Sequence, residues 1–353
     1  MRVCTLVGAR PQFVKAATVS PALGEVGINE TLVHSGQHYD KLLSEVFFEE
    51  LGVPSPAANL EAGSGSHAAQ TGEIMVRFEQ FLQETGPYDA VIVYGDTNTT
   101  LAGAIVAAKS NISLAHVEAG IRSFNWLMPE EINRILTDRI SKWLFAPTQL
   151  AVNNLENEGL VKNTILVGDV MLDATEIFIE RAVQLHPLDS IIPYSSGEYY
   201  LSTVHRPSNT DDIQNLQSIF NAFAQLPLPV ILPLHPRTKA VLSAIKIPNN
   251  VEIIDPVGYL VMLVLTRNAK RVLTDSGGLQ KEAYWFGVPC TILREETEYP
   301  ETFKNDWSVC TGADQESIID ATMSQPSGPQ CQFGLGPEGS ASSMIANALM
   351  QKS

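Results

Sequence analysis

Positive charge is scarce in this sequence. Against 39 acidic residues stand only 23 Lys and Arg, for a net charge of −16, and no run is rich in basic residues. Nonspecific nucleic-acid binding rests on cationic contacts to phosphate, so a nucleic-acid partner is not expected. An anionic ligand would need a local basic pocket. Cysteine is scarce too. Cys4, Cys290, Cys310 and Cys331 are scattered, with no C-x-x-C pair. That usage argues against a disulfide framework and for a reducing compartment. Cys4 and Cys290 sit in apolar, strand-like contexts and are expected as buried thiols. No stretch of about 18 apolar residues occurs, so no transmembrane helix and no membrane partner are expected. The opening MRVCTLVGARP reads directly as a strand and a turn, so no signal peptide is expected and the location is read as cytoplasmic. A Walker A motif is also missing.

What is present is a globular composition, 44% hydrophobic and 18% charged. A length of 353 residues suggests two domains, at roughly 150 residues each. Short apolar runs alternate with longer helical patterns. Arg2–Val7, Glu30–His34, Ala90–Tyr94, Ser113–Val117, Trp143–Phe145 and Thr164–Val167 read as strands in the first half. Tyr199–Thr203, Val230–Pro233, Val251–Ile253, Val272–Thr274 and Cys290–Leu293 do so in the second. The runs are nearly all apolar, which suits strands covered on both faces. Gln12–Glu25, Lys41–Glu50 and Asn98–Lys109 read as helices between them. The pattern predicts an α/β fold: two doubly wound, Rossmann-like domains facing a cleft. The boundary falls near Gly168–Asp169, before a helix at Met171–Leu185.

In such sheets ligands sit at the carboxyl ends of the strands, so the loops there carry the chemistry. LTDSGGLQKEAYWFGVP (Leu273–Pro289) turns from a strand into a helix at Gly277 and Gly278. Free N–H groups and the positive dipole end favour an anion there. Ser276 adds a hydroxyl, and Glu282 lies about 6 Å further along the axis, a spacing suited to phosphate and then ribose. VGARPQFVK offers Arg10 and Lys15 to a diphosphate. In HSGQHYD, His34 and His38 have a helical metal spacing, but they straddle Ser35–Gly36 without a nearby acidic ligand, so a polar turn is preferred and no metal is expected. AGSGSHA matches a dinucleotide fingerprint by letters, but PSPAANLE before it is not read as a strand, so NAD is discarded. Asp96, after Ala90–Tyr94, suits a helix N-cap or a carboxylate at the site. Glu118 follows a buried strand, between apolar residues and glycine. In MPEEINR, Glu130 and Glu131 suit a first helical turn, with Glu130 and Arg134 four apart. Carboxylates converging on one site can divide acid and base roles. TVHRPSN and PLHPR place a His and an Arg after each of two strands.

In order, GARPQFVK, HSGQHYD, GDTNTTLAGA, HVEAGIRS, MPEEINR, HR-x-x-N, DPVGYL and LTDSGGLQKEA resemble the non-hydrolysing UDP-N-acetylglucosamine 2-epimerases, over nearly the whole chain. The resemblance implies a two-domain fold of the GT-B type. It implies an N-terminal domain over 1–169 completed by a last helix at about 340–353, and a UDP-binding domain over 170–339. It implies elimination of UDP as the C2 proton leaves, a 2-acetamidoglucal intermediate, and readdition on the other face, with no cofactor. By matching motif, Asp96, Glu118, Glu130 and His205 would be catalytic. Arg10, Lys15, Arg134, His235, Ser276, Gly277, Gly278 and Glu282 would bind substrate. Gln37, Glu131 and Arg206, with His235, match part of an activator site for a second UDP-sugar. Relatives of this kind are commonly homodimers.

The sequence departs from the family's pattern in several places. HRPSN replaces the common HRREN, Tyr299 stands in TEYPE where Arg is frequent, and Tyr39–Asp40 replaces a basic pair. The HVEAG to PEE spacing is two residues shorter than in well-known bacterial enzymes, and the short-spacing branch includes enzymes acting on UDP-2,3-diacetamido-glucuronate. That sugar is the alternative substrate. A glycosyltransferase of the same fold, or a UDP-sugar-binding protein, is the alternative function.

Overall fold

The computed structural model describes residues 1–37, 50–52, 55–234 and 236–351. It divides into two compact units, Met1–Ala174 with Gly334–Ser353, and Thr175–Phe333. In the first unit lie β1 (Arg2–Val7), β2 (Asn29–His34), β3 (Ala58–Asn59), β4 (Ala90–Tyr94), β5 (Ser113–Val117), β6 (Trp143–Ala146) and β7 (Thr164–Leu166). They form one sheet in the order β3-β2-β1-β4-β5-β6-β7. The second unit holds β8 (Tyr200–Thr203), β9 (Val230–Pro233), β10 (Val251–Ile254), β11 (Arg271–Thr274), β12 (Cys290–Ile292) and β13 (Ser308–Cys310). Their order is β10-β9-β8-β11-β12-β13. Every pairing among the described strands is parallel. Each sheet therefore reverses its winding once, between β1 and β4 and between β8 and β11. The crevice at the carboxyl ends of those strand pairs is where such sheets bind ligands.

The near-continuous apolar runs are explained by this topology. All five residues of β4 are buried, and helices His67–Thr85 and Asn98–Lys109 pack on the same core as Leu6, Val91 and Val93. Gly103 lets the second of these helices lie close, because a Cβ there would stand 2.9 Å from Leu6 Cδ2 and 3.0 Å from Val93 Cγ1. In the second unit, separate clusters line the two sheet faces, one around Phe220 and Phe223, the other around Leu265 and Ala283. Cys4 and Cys290 are buried free thiols, and burial pushes Cys290 up to about 12. Among the described residues no helix is long and apolar enough to cross a membrane.

Two strands differ from the sequence reading. Ala58–Asn59 lies within PSPAANLE, and it pairs with Val33 and His34 through only two residues. Ser308–Cys310 pairs with Cys290–Ile292 at the other sheet's edge. Both are short edge strands with too few apolar residues to give a run. The helix expected over 41–50 falls almost wholly outside the described residues. The helix expected from Gln280 begins at Gly277, so both glycines lie in its first turn.

The chain returns to the first unit through capping. Asp173 accepts from Ala341 N at 3.2 Å, Ser342 N at 2.8 Å and Ser342 Oγ at 2.7 Å. This caps helix Ala341–Gln351, which packs on helix Arg10–Glu25. A half-buried carboxylate in the same unit, Glu30 on β2, is held above the ordinary range. Burial pushes the Glu30 carboxyl up, against a hydrogen bond from Thr5. A raised acid binds its proton more tightly folded than unfolded, so it lowers stability as pH rises above the ordinary Glu value of about 4.3. Glu30→Gln is therefore expected to melt above the wild type at pH 8, with the two melting temperatures converging below about pH 4. A lower melting temperature for that variant at pH 8 would refute this.

Candidate active site

The first unit gathers its polar residues at the carboxyl ends of β1, β4 and β5. Gly8 follows β1, and a Cβ there would overlap the Ser35 and Thr99 hydroxyls. Gln12 organises the turn. Its Oε1 accepts from Gly8 N at 2.8 Å and Ala9 N at 3.0 Å, capping helix Arg10–Glu25. Its Nε2 donates to Tyr94 O at 2.8 Å and to Thr97 and Thr100 hydroxyls at 3.1 and 3.0 Å. One buried amide thus ties the β1 loop to the β4 loop. One turn further along, Lys15 reaches Glu118 and forms a buried ion pair with it. Glu118 is held at φ +71°, a left-handed conformation that costs a non-glycine residue on the order of 1–3 kcal/mol.

Asp96 is not the helix N-cap. Thr97 takes that role, accepting from Thr100 N at 3.4 Å. The Asp96 carboxylate is left for Arg134, whose Nε and Nη2 lie 2.9 and 2.7 Å from its Oδ2. Asn133 Nδ2 donates to Asp96 O at 2.8 Å. The carboxylate keeps 33% of its side-chain exposure, so it faces outward while anchored. Arg134 Nη1 also pairs with Glu131 Oε2 at 2.6 Å. Glu131 is fully buried and accepts from Ser123 N and Phe124 N at 2.9 Å each, folding the loop before the helix. Glu130 is its half-buried neighbour in the first turn of helix Pro129–Ile140. Arg10 is exposed. Gln37 is buried, with its Oε1 accepting from Thr99 N at 3.2 Å and Thr99 Oγ1 at 2.7 Å. His34 Nδ1 accepts from Gly36 N at 2.6 Å, so that ring caps a turn.

In the second unit, the ends of β8 and β11 meet on one carboxylate. Asp275 is fully buried and accepts from His205 N at 2.9 Å, Arg206 N at 2.8 Å and Asn209 Nδ2 at 3.0 Å. His205 Nδ1 lies 3.4 Å from its Oδ1, and the ring is 29% exposed. The next residue, Ser276, is the N-cap of helix Gly277–Trp285, yet its side chain makes no capping bond. The hydroxyl and the first N–H groups of the helix form an anion-binding geometry. A Cβ on Gly277 would stand 3.3 Å from the Tyr299 ring. Behind it Lys281 Nζ sits 4.8 Å over that same ring. Glu282 is buried in the helix. His235 lies outside the described residues.

Comparison with known proteins identifies the family. The sequence profile of the UDP-N-acetylglucosamine 2-epimerase family matches residues 22–333. The chain belongs to the UDP-N-acetylglucosamine 2-epimerase family. Over 360 residues it is 45% identical to a UDP-N-acetylglucosamine 2-epimerase homolog of Methanococcus maripaludis, covering 99% of both chains. Over 357 residues it is 44% identical to a UDP-2,3-diacetamido-2,3-dideoxy-D-glucuronate 2-epimerase of Pseudomonas aeruginosa, again covering 99% of both. The crystal structure of the Methanocaldococcus jannaschii UDP-GlcNAc 2-epimerase with UDP-GlcNAc and UDP is similar at a TM-score of 0.92 and 38% identity, covering 99% of this chain and 100% of that one. These relatives are isomerases, and this chain is a member of that enzyme family.

As an epimerase-family protein it shows more supporting residues than the motifs alone assign. Gln12 and Asp275 lie inside the quoted motifs but drew no role, since a buried amide and a buried acid announce nothing by spacing. The signal available was position, each being close to a strand end. His116, Asp138 and Arg122 form a buried network behind Glu118. Asp138 Oδ1 is 2.6 Å from His116 Nδ1, and its Oδ2 is 2.7 Å from Arg122 Nη2. Burial works to raise the Asp138 carboxyl, but His116 and Arg122 outweigh it and hold it below the usual range.

Proposed function

We propose that this protein epimerises C2 of a UDP-N-acetylhexosamine, converting UDP-GlcNAc to UDP-ManNAc without net hydrolysis. The observation that carries the reading is the pairing in the first unit: Glu118 with Lys15, and Asp96 with Arg134, at neighbouring strand ends. A carboxylate takes the C2 proton as the C1–O bond breaks, and the electron pair leaves with UDP. This gives a C1–C2 double bond. A second carboxylate returns a proton to the opposite face, and UDP adds back at C1. Asp96, Glu118 and Glu130 are the groups assigned around C2. Proton transfer of this kind contributes roughly 10²–10⁴-fold per group. The leaving diphosphate needs N–H donors and positive charge. His205, Arg10 and the Ser276–Gly278 turn supply them in this reading, with Glu282 on the ribose. Gln37 and Arg206 would serve a second UDP-sugar. Glu131, by contrast, is engaged in holding the loop to Arg134. The same reading makes the enzyme a cytoplasmic homodimer acting in polysaccharide biosynthesis.

The 44% identity to the Pseudomonas aeruginosa enzyme supports a second substrate reading, the diacetamido uronate. Proton NMR in D2O separates the two. With UDP-N-acetylglucosamine, deuterium at C2 and a new manno signal are expected. Exchange only with the diacetamido uronate would keep the mechanism and change the sugar. Exchange with neither would overturn the epimerase reading in favour of a transferase or a binding protein.

A further inference from the structure

We propose that His116 is a positioning residue, a buried imidazole with both nitrogens protonated that locks the Gly95 turn and so sets Asp96 against Glu118. The proposal rests on the reading of those two carboxylates as the groups at C2. Its argument begins with acceptors. His116 is fully buried on β5. Its Nε2 lies 2.7 Å from Gly95 O, and its Nδ1 lies 2.6 Å from Asp138 Oδ1. A backbone carbonyl can only accept, and so can an ionised carboxylate. A neutral imidazole has one N–H and could satisfy one of them. Asp138 is also committed as an acceptor on its other oxygen, from Arg122 Nη2 at 2.7 Å and Gly120 N at 3.1 Å. Both His116 nitrogens therefore donate. The charged groups facing it close the account: Asp138 opposes His116, and Glu158 opposes Arg122 at 2.7 Å.

What the imidazole holds is the point where the two carboxylate loops approach. Gly95 N donates to Val117 O at 3.0 Å, so with His116 on its carbonyl the Gly95 residue is tied to β5 at both ends. Gly95 has φ +61°, and a Cβ there would stand 3.3 Å from both Glu118 Oε2 and Lys15 Nζ. The following residue is Asp96. Two residues after His116 comes Glu118, itself at φ +71°. Through Asp138 the same ring reaches helix Pro129–Ile140, which carries Glu130 and Arg134. One side chain thus couples the three segments bearing the proposed catalytic carboxylates. Displacement of a reacting group by about 1 Å can cost on the order of 10²-fold in rate.

The test compares the wild type with His116→Gln, which keeps one donor, and His116→Phe, which keeps none. His116→Phe should lose about 100-fold in kcat, with KM and UDP affinity changed less than about threefold. His116→Gln should recover part of that loss. In the ¹⁵N-histidine spectrum of the wild type, the signals absent from the Gln variant should show both ring nitrogens protonated at pH 7. A bare ring nitrogen on His116 at pH 7 would overturn the proposal. So would a His116→Phe protein turning over at the wild-type kcat per folded molecule. Should that variant fail to fold, the Gln variant and the wild-type spectrum still decide. Absence of C2 exchange in the wild type would instead condemn the catalytic reading, and the spectrum would judge His116 independently.

Discussion

Glu118→Gln is expected to lower kcat by roughly 10²–10⁴-fold while UDP affinity stays within about threefold of the wild type. The substitution is nearly isosteric, so the loss isolates proton transfer. The glutamine oxygen can still accept from Lys15, and the left-handed backbone at residue 118 is retained. What disappears is a group that can take or return a proton. Stability should fall as well, because Lys15 is buried and would face a neutral partner. Removing one member of a buried pair outright costs about 3–5 kcal/mol, and the retained acceptor keeps this variant toward the lower end. Steady-state turnover with C2 deuterium exchange, alongside a thermal melt, separates the two effects. Loss of exchange with a well-folded protein is the expected outcome. A variant that exchanges within threefold of the wild type would remove Glu118 from the chemistry.

The fold was legible in the sequence wherever burial was symmetric. β4 reads clearly because both faces are covered and its residues are apolar throughout, and β5 keeps an apolar run broken only by Ser113 and His116. The short edge strands Ala58–Asn59 and Ser308–Cys310 carry no such run. The strand-end loops were legible as places, because polar residues follow apolar runs there. Their pairings were not. Lys15 and Glu118 lie 103 residues apart, and Arg134 meets Asp96 across 38. Only the strand order brings them together. Local rules also had two candidates at several positions. Asp96 and Thr97 are both good N-caps, and the threonine took the cap. Glu130 and Glu131 both suit a first turn, and the direction of the turn buried one and left the other half-buried. Buried polar residues such as Gln12 and His116 were the hardest to read, since their roles come from partners on other strands.

Asp275→Asn is expected to have the second large effect, on nucleotide binding and stability together. Asp275 sits between β8 and β11 and presents only acceptors to a ring of donors. These are His205 N at 2.9 Å, Arg206 N at 2.8 Å and Asn209 Nδ2 at 3.0 Å. All three bond Oδ2, so an asparagine oxygen can keep them, but its NH₂ then replaces Oδ1 and faces the His205 N–H at 3.1 Å, and the charge that strengthens every one of these bonds is lost. Each buried donor left unsatisfied costs about 1–3 kcal/mol. A melting temperature several degrees lower is expected, at about 2–4 °C per kcal/mol for a domain of this size. The His205–Arg206 turn should then shift relative to Ser276, the residue next to Asp275. If the diphosphate lies against His205 and the helix at Gly277–Trp285, UDP affinity should fall more than about tenfold, a loss readable by calorimetry. Glu118→Gln provides the contrast, since it should spare UDP binding and remove turnover. The opposite pattern, with Asp275→Asn binding UDP normally and Glu118→Gln losing it, would move the nucleotide out of the second unit.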